Sequence, residues 1–316
     1  MKKLIEEKCA FLFQGVGPEY QKFLHLLGEK EQGLLKHYCT IANKEIGLDL
    51  WSYLFEFSPT KYDKMFNDWI AIYTCDYIVY HAYTDLGIKP DILLGYSMGL
   101  ITAMACGKSI SYEAGLQMLL TIYEYPKYFS RNNEAMSVIV GMTYDDVDKI
   151  IRGNKLEGYV EIASENNEYC IIISGIKKWV DRVMSIAVDE GALKVKDINA
   201  PYAFHSRHAA IGIERYIELV AKLEVLDSEI SIISSFNQDI IKTSDELKEE
   251  LVKNMTSRMY WKSSIEKIVD IGINNFVEVS LADSVTKFSK LINTDSKFVT
   301  YKKMLKLKSL AEKVIA

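Results

Sequence analysis

The chain has no long apolar run, no paired cysteines and very little proline. Its 316 residues include five prolines and five cysteines: Cys9, Cys39, Cys75, Cys106 and Cys170. The cysteines are odd in number, widely spaced and form no C-x-x-C pair. That excludes a disulfide framework and points to a reducing compartment, with the thiols serving as small core residues. No stretch approaches the ~18 apolar residues of a membrane helix, so no membrane span is expected. The start Met1-Lys2-Lys3-Leu4-Ile5-Glu6-Glu7-Lys8 is basic but lacks the apolar core and cleavage site of an export signal, so a cytoplasmic location is expected. Positive charge is not in excess: 38 Lys and Arg against 43 Asp and Glu leave −5, which argues against a nucleic-acid partner. No repeat or low-complexity tract is present, and no metal is expected.

What remains is an ordinary globular composition, 49% apolar and 26% charged, long enough for one large α/β domain or two smaller ones. The most informative stretch is Ile92-Leu93-Leu94-Gly95-Tyr96-Ser97-Met98-Gly99, an apolar run followed by a small-residue helical pattern to Cys106. G-x-S-x-G between a strand and a helix is the order of a nucleophile elbow, a turn so tight that its flanks call for glycine. The bare pattern is common by chance, and here the strand-then-helix context favours a nucleophile at Ser97. The helix N-terminus behind it would favour developing negative charge.

Along the chain, Cys9 to Phe13 reads as a strand entering a turn at Gly15 to Pro18. Helices are expected over Tyr20–Ile46, Tyr62–Leu86 and Tyr112–Tyr123, the last stopped by Pro126. From Ala135 the rhythm changes. A strand to Val140 is followed by a helix over Tyr144–Ile151 capped by Thr143. Strands at Tyr159–Ala163 and Tyr169–Ile173 are joined through Asn166-Asn167. A helix over Ile176–Glu190 ends at Gly191, and a last strand begins at Leu193. The order βαββαβ is that of a ferredoxin-like unit inserted into a larger one. Helices over Arg207–Leu223, Ser244–Asn254 and Trp261–Ile271 follow, with strands at Ile230–Ile233 and Phe276–Val279.

A serine nucleophile needs a base. His25, His37 and His81 lie in helical patterns ahead of the elbow, and His208 lies at a helix start. His205 sits in the loop Ala200 to Ser206. Taken alone it reads as a surface histidine; with Ser97 in the chain it is the candidate base.

These motifs, Gln14-Gly15 after the first strand, Gly95 to Gly99 and Phe204-His205-Ser206, resemble the malonyl-CoA:acyl-carrier-protein acyltransferases of fatty-acid and polyketide synthesis. Ile173-Ser174-Gly175, Met259-Tyr260-Trp261 and Phe276 to Ser280 are similar too, so the resemblance runs over nearly the whole chain. It implies an α/β fold: an α/β-hydrolase-like subdomain with a parallel sheet and nucleophile elbow over residues 1–130 and 200–316, and a ferredoxin-like insertion over 131–199. It also implies a Ser97–His205 dyad acting on thioesters, with oxyanion donors at the Gln14 and Met98 N–H groups. The family orients its histidine through an oxygen near the strand expected at 230–233, a place taken here by Ser235 with Asn237 nearby. No cofactor is implied; the substrate is phosphopantetheine-linked, an acyl-CoA or an acyl carrier protein as partner, and a monomer suffices.

The departures bear on substrate. Malonyl-selective members carry an arginine clamp on the helix after the elbow. That position falls at Ile122, and residues 113–125 contain no Arg or Lys. Tyr96 replaces a histidine, Leu100 a glutamate and Cys170 a glutamine; Tyr202 and Phe204 complete the expected substrate wall. The chain thus resembles an arginine-less branch, the freestanding acyltransferase and acyl hydrolase homologues of trans-acyltransferase polyketide synthases. Transfer of a non-malonyl acyl group is expected. Acyl hydrolysis, malonyl transfer and an idle carrier-binding role are the alternatives. Lys127, Arg131, Lys177, Lys178, Arg182 and Arg207 are candidates for a basic rim toward an acidic carrier.

Overall fold

A computed structural model describes residues 5–129, 133–198, 200 and 202–315. Strands are numbered in chain order: β1 Cys9–Phe13, β2 Ile92–Gly95, β3 Glu134–Val140, β4 Val160–Asn167, β5 Cys170–Ile176, β6 Lys194–Ile198, β7 Ile232–Ile233, β8 Ile240–Ile241, β9 Asn275–Glu278 and β10 Lys297–Val299.

Six of them form one sheet in the order β10-β9-β1-β2-β7-β8. Every pairing is parallel except β7 with β8. Central parallel strands are covered on both faces, so they are apolar throughout rather than alternating. All five residues of β1 are buried. Cys9, Phe11 and Phe13 enter the main core beneath helices Glu29–Ile46 and Lys64–Asp85, while Ala10 and Leu12 pack on the other face with Trp261 and Ile265. Burying one such phenylalanine contributes about 1.5–3 kcal/mol.

The other four strands form an antiparallel sheet in the order β4-β5-β3-β6, the arrangement that βαββαβ gives in a ferredoxin-like unit. Its alternation decides where the active cleft lies. Ala135, Ile139, Ile171 and Ile173 face helices Tyr144–Gly153 and Lys177–Asp189. Met136, Val138, Ile172 and Ile198 belong to the opposite face and line a cavity above β2. The Met259 N–H, donating to the Ala163 carbonyl at 2.9 Å, ties this smaller sheet to the chain entering helix Trp261–Asp270.

Several local expectations need correction. Tyr20–Ile46 is not one helix: two short 3-10 turns precede Gly28, an extended N-cap from which the helix starts at Glu29. Helix Tyr112–Phe129 runs on through Pro126 rather than stopping there, although an interior proline forfeits one helical hydrogen bond and crowds the carbonyl four residues back. Asn166 and Asn167 end β4, and the turn is made by Glu168 and Tyr169. Arg207–Leu223 is split by Gly212 at φ 77°, leaving a 3-10 turn and helix Ile213–Lys222. The helix expected to be begun by Ser244 is capped one residue earlier, by Thr243, which forms a capping box with Glu246, and it runs to Thr256. Thr143 caps its helix in the same way with Asp146. Arg131 lies outside the described residues, as do residues beside both expected insertion boundaries.

Candidate active site

The elbow is built by exclusion of Cβ atoms. One added at Gly95 would lie 2.4 Å from the Leu100 nitrogen, and one at Gly99 would lie 2.4 Å from the Phe13 carbonyl oxygen. With glycine at both positions, helix Gly99–Cys106 starts directly against the sheet edge. Ser97 between them takes φ 54°, a left-handed conformation that costs a serine about 1–3 kcal/mol. The turn is held by Tyr96 N–H to the Phe13 carbonyl at 2.8 Å and Gly99 N–H to the Tyr96 carbonyl at 2.9 Å.

His205 is brought to Ser97 from the far side of the chain. Its N–H donates to the Met255 carbonyl at 2.8 Å, Ser206 Oγ donates to the Ala203 carbonyl at 2.6 Å, and the Ala203 N–H donates to Glu134 Oε2 at 3.1 Å. Pinned this way, His205 Nε2 stands 2.9 Å from Ser97 Oγ. The ring is 2% exposed, and burial lowers its pKa to about 4, opposed by the Ser257 main chain, so it is neutral at pH 7. A neutral imidazole beside a serine hydroxyl is able to accept its proton.

The two residues face a cavity of about 430 Å³ between the two sheets. Its walls are mostly apolar: Trp69, Leu119, Ile122, Phe204, Met255 and Met259 from the larger unit, and the cleft face of the smaller sheet. Ile122 therefore lies in the lining, 8% exposed, with no arginine there among the described residues. Tyr96 and Cys170 line it as well. The Tyr96 hydroxyl donates to Asn166 Oδ1 at 2.9 Å, and Asn166 Nδ2 lies 3.9 Å from Cys170 Sγ. Charge enters only at Lys196 and Asp197, both exposed on β6.

Three expectations are corrected, and Gln14 meets the elbow through its main chain alone: its side chain is 1% exposed with the amide turned into the core toward Tyr20, while a Cβ on Gly99 would lie 2.6 Å from its carbonyl oxygen. Neither Ser235 nor Asn237 touches His205. Ser235 Oγ donates to the Gly95 carbonyl at 3.1 Å, and Asn237 Nδ2 bonds Asp239 in an exposed turn. The main chain at Ser257 is the polar group beside the ring instead. Tyr202 stands behind the wall, edge-on to Phe204. Of the basic rim, Lys177 pairs with Asp181, Arg207 with Glu161, and Lys127 and Lys178 lie over the rings of Tyr123 and Trp179, so much of that charge is engaged within the chain.

Sequence reasoning missed Asn254, whose Nδ2 donates to the Ser97 carbonyl at 3.2 Å. It comes from the last turn of helix Ser244–Thr256, and nothing in the local pattern marks it. No group of residues suited to holding a metal occurs among the described residues. Nor, among them, is any helix long and apolar enough to cross a membrane.

No family model matches the chain. Curated relatives do. The malonyl CoA-acyl carrier protein transacylase of Bacillus subtilis (strain 168) is 24% identical over 288 residues, covering 90% of each chain. Its counterpart from Staphylococcus aureus (strain MSSA476) is 22% identical over 296 residues, 93% of this chain and 95% of that one. Among solved structures, the Coxiella burnetii malonyl CoA-acyl carrier protein transacylase superposes with a TM-score of 0.85 at 21% identity, covering 95% of this chain and 96% of that one. A malonyl-transacylase in complex with its type II polyketide synthase acyl-carrier protein gives 0.83 at 16% identity, covering 93% and 96%. Over nine-tenths of its length this chain is similar in sequence to malonyl CoA-acyl carrier protein transacylases, and over 95% of it the fold is theirs.

Proposed function

We propose that this chain is a serine acyltransferase acting on acyl-carrier-protein thioesters in fatty-acid or polyketide synthesis. The observation that carries the reading is the 2.9 Å contact between Ser97 Oγ and His205 Nε2 on the wall of a largely apolar cleft. Ser97 attacks the thioester carbonyl as His205 Nε2 takes its proton. The proton then goes to the departing phosphopantetheine thiol, leaving acyl-Ser97. A second thiol, deprotonated by the same ring, takes the acyl group on.

The oxyanion donors are the N–H groups of Gln14 and Met98. Support comes from the Gln14–Gly15 main chain lying against the elbow, a Cβ on Gly15 falling 3.4 Å from Ser97 Cβ, and from Met98 lining the cavity at the start of the elbow helix. Losing one such donor typically costs about 3 kcal/mol of barrier.

The acyl group is neutral. Ile122 and Leu119 on one helix face Phe204 and Met255 across the cavity, and a free carboxylate buried there would cost several kcal/mol. A second reading, malonyl transfer, is favoured by the names of the relatives above, and Lys196 at the β6 edge is the cation available to it.

The test is intact mass spectrometry of the protein after exposure to acetyl-, hexanoyl- and malonyl-loaded acyl carrier protein. Acetyl or hexanoyl adducts that pass to a second carrier support transfer of neutral groups. Release of free acid instead supports the acyl hydrolase, and a dominant malonyl adduct supports the second reading. Absence of any adduct leaves carrier binding alone.

A further inference from the structure

Behind the cleft wall at residues 13–17, the core holds three polar side chains in a row. Gln14 Nε2 donates to the Tyr20 hydroxyl, and Tyr20 donates in turn to Asp76 Oδ1. The same hydroxyl accepts from the Leu281 N–H at 3.3 Å. All three side chains are buried, and Asp76 stands in helix Lys64–Asp85 among Ile72, Tyr73, Cys75 and Val79, each fully buried. A charge there would be costly, and burial pushes the Asp76 carboxyl well up, opposed by the hydrogen bond from Tyr20.

The row is not a closed network: Gln14 Oε1 and Asp76 Oδ2 have no partner among the described residues. An apolar trio would pack the same space without that cost, so stability does not explain it. What the row supplies is direction. It fixes the Gln14 side chain, and the loop beyond Gln14 has no slack. A Cβ on Gly15 would lie 2.9 Å from the Tyr96 carbonyl oxygen and 3.4 Å from Ser97 Cβ, and one on Gly99 would lie 2.6 Å from the Gln14 carbonyl oxygen. The Gln14–Gly15 backbone is wedged against the elbow. A shift of Gln14 would therefore be felt at Tyr96, Ser97 and Gly99.

We propose that Tyr20 and Asp76 are positioning residues: acting through the Gln14 side chain, they hold the Gln14–Gly15 main chain against the elbow, with the Gln14 N–H placed for the reacting carbonyl, and so set the acylation rate. The proposal rests on the acyl-transfer reading of Ser97 and Gln14.

Single-turnover formation of acyl-Ser97 from acyl-carrier protein, across donor concentrations, tests it. Tyr20→Phe is expected to lower the maximal rate about ten- to a hundredfold, the scale of a misplaced catalytic group, with the half-saturating donor concentration unchanged. Asp76→Asn keeps an oxygen for the Tyr20 hydroxyl and should stay within about threefold of the parent. If Tyr20→Phe does not fold, Gln14→Met removes the same link from the other side and should show the same loss. A Tyr20→Phe or Gln14→Met protein acylating at the parent rate overturns the proposal, as does a loss seen equally in Asp76→Asn. A parent protein that forms no adduct overturns the acyl-transfer reading itself, and this is seen before any variant is compared.

Discussion

Ser97 and His205 meet at 2.9 Å with both backbones in the left-handed region, at φ 54° and 58°. Two non-glycine residues in that region, facing each other, represent a few kcal/mol of strain that the surrounding fold sustains. The elbow glycines enforce the first, and the Met255 carbonyl, accepting from the His205 N–H, holds the second. Ser97→Ala keeps a Cβ and with it the same backbone strain, so it should abolish the acyl adduct while leaving the melting temperature close to the parent's. His205→Ala should slow adduct formation about 10²- to 10⁴-fold, the range of general-base catalysis. An adduct persisting in Ser97→Ala would place the nucleophile elsewhere.

The pH response of that pair follows from burial. Desolvation lowers His205 to about 4, with the Ser257 main chain pulling the other way. The ring accepts the Ser97 proton only while neutral, so activity is lost as pH falls through that value. The acid limb of kcat/KM for acylation should lie near pH 4 rather than at histidine's usual ~6.5. A limb at pH 6.5 would mean that the ring is hydrated in the working enzyme.

Ile122 is the position at which the proposal of a neutral acyl group is tested. It is 8% exposed and lines the cavity with Leu119 on the same helix. Ile122→Arg should raise malonyl adduct formation by about tenfold or more, since a guanidinium binds a carboxylate through two parallel hydrogen bonds. It should also reduce hexanoyl loading, because the longer side chain takes up cavity volume. An unchanged ratio of malonyl to hexanoyl adducts in competition would show that Ile122 does not meet the acyl terminus.

The parts legible in sequence were those with short-range causes. Gly95 and Gly99 announce the elbow because no Cβ fits there, and the alternation in β3 and β5 announces a sheet with one helix-covered face. The errors share a different cause. Tyr202 belongs to the right loop, yet it stands edge-on behind Phe204, which takes the place on the cavity wall. Ser235 is near the elbow, yet its hydroxyl is spent on the Gly95 carbonyl. Asn254 reaches Ser97 across 157 residues of sequence, through the docking of a helix that no local pattern describes.

Glu250 and Glu278 give the fold its own pH signature. Glu250 accepts from Ser234 Oγ and the Ser235 N–H, and Glu278 accepts from the N–H groups of Val285 and Thr286. Burial outweighs these bonds and raises both carboxyls from 4.5 to about 7. In the window between those values the folded chain holds protons that the unfolded chain has released. Stability from this source is fully present below pH 4.5 and is lost as pH rises through 7, on the order of a few kcal/mol for the two together. His205 acts in the opposite sense below ~6.5, where the unfolded ring takes up a proton that the folded one refuses, so the two effects must be separated by substitution. Glu250→Gln and Glu278→Gln keep an acceptor oxygen while removing the titration. Melting temperatures at pH 5 and pH 8 should differ less in each variant than in the parent. Equal pH slopes in parent and variants would show that these carboxyls are ionised throughout.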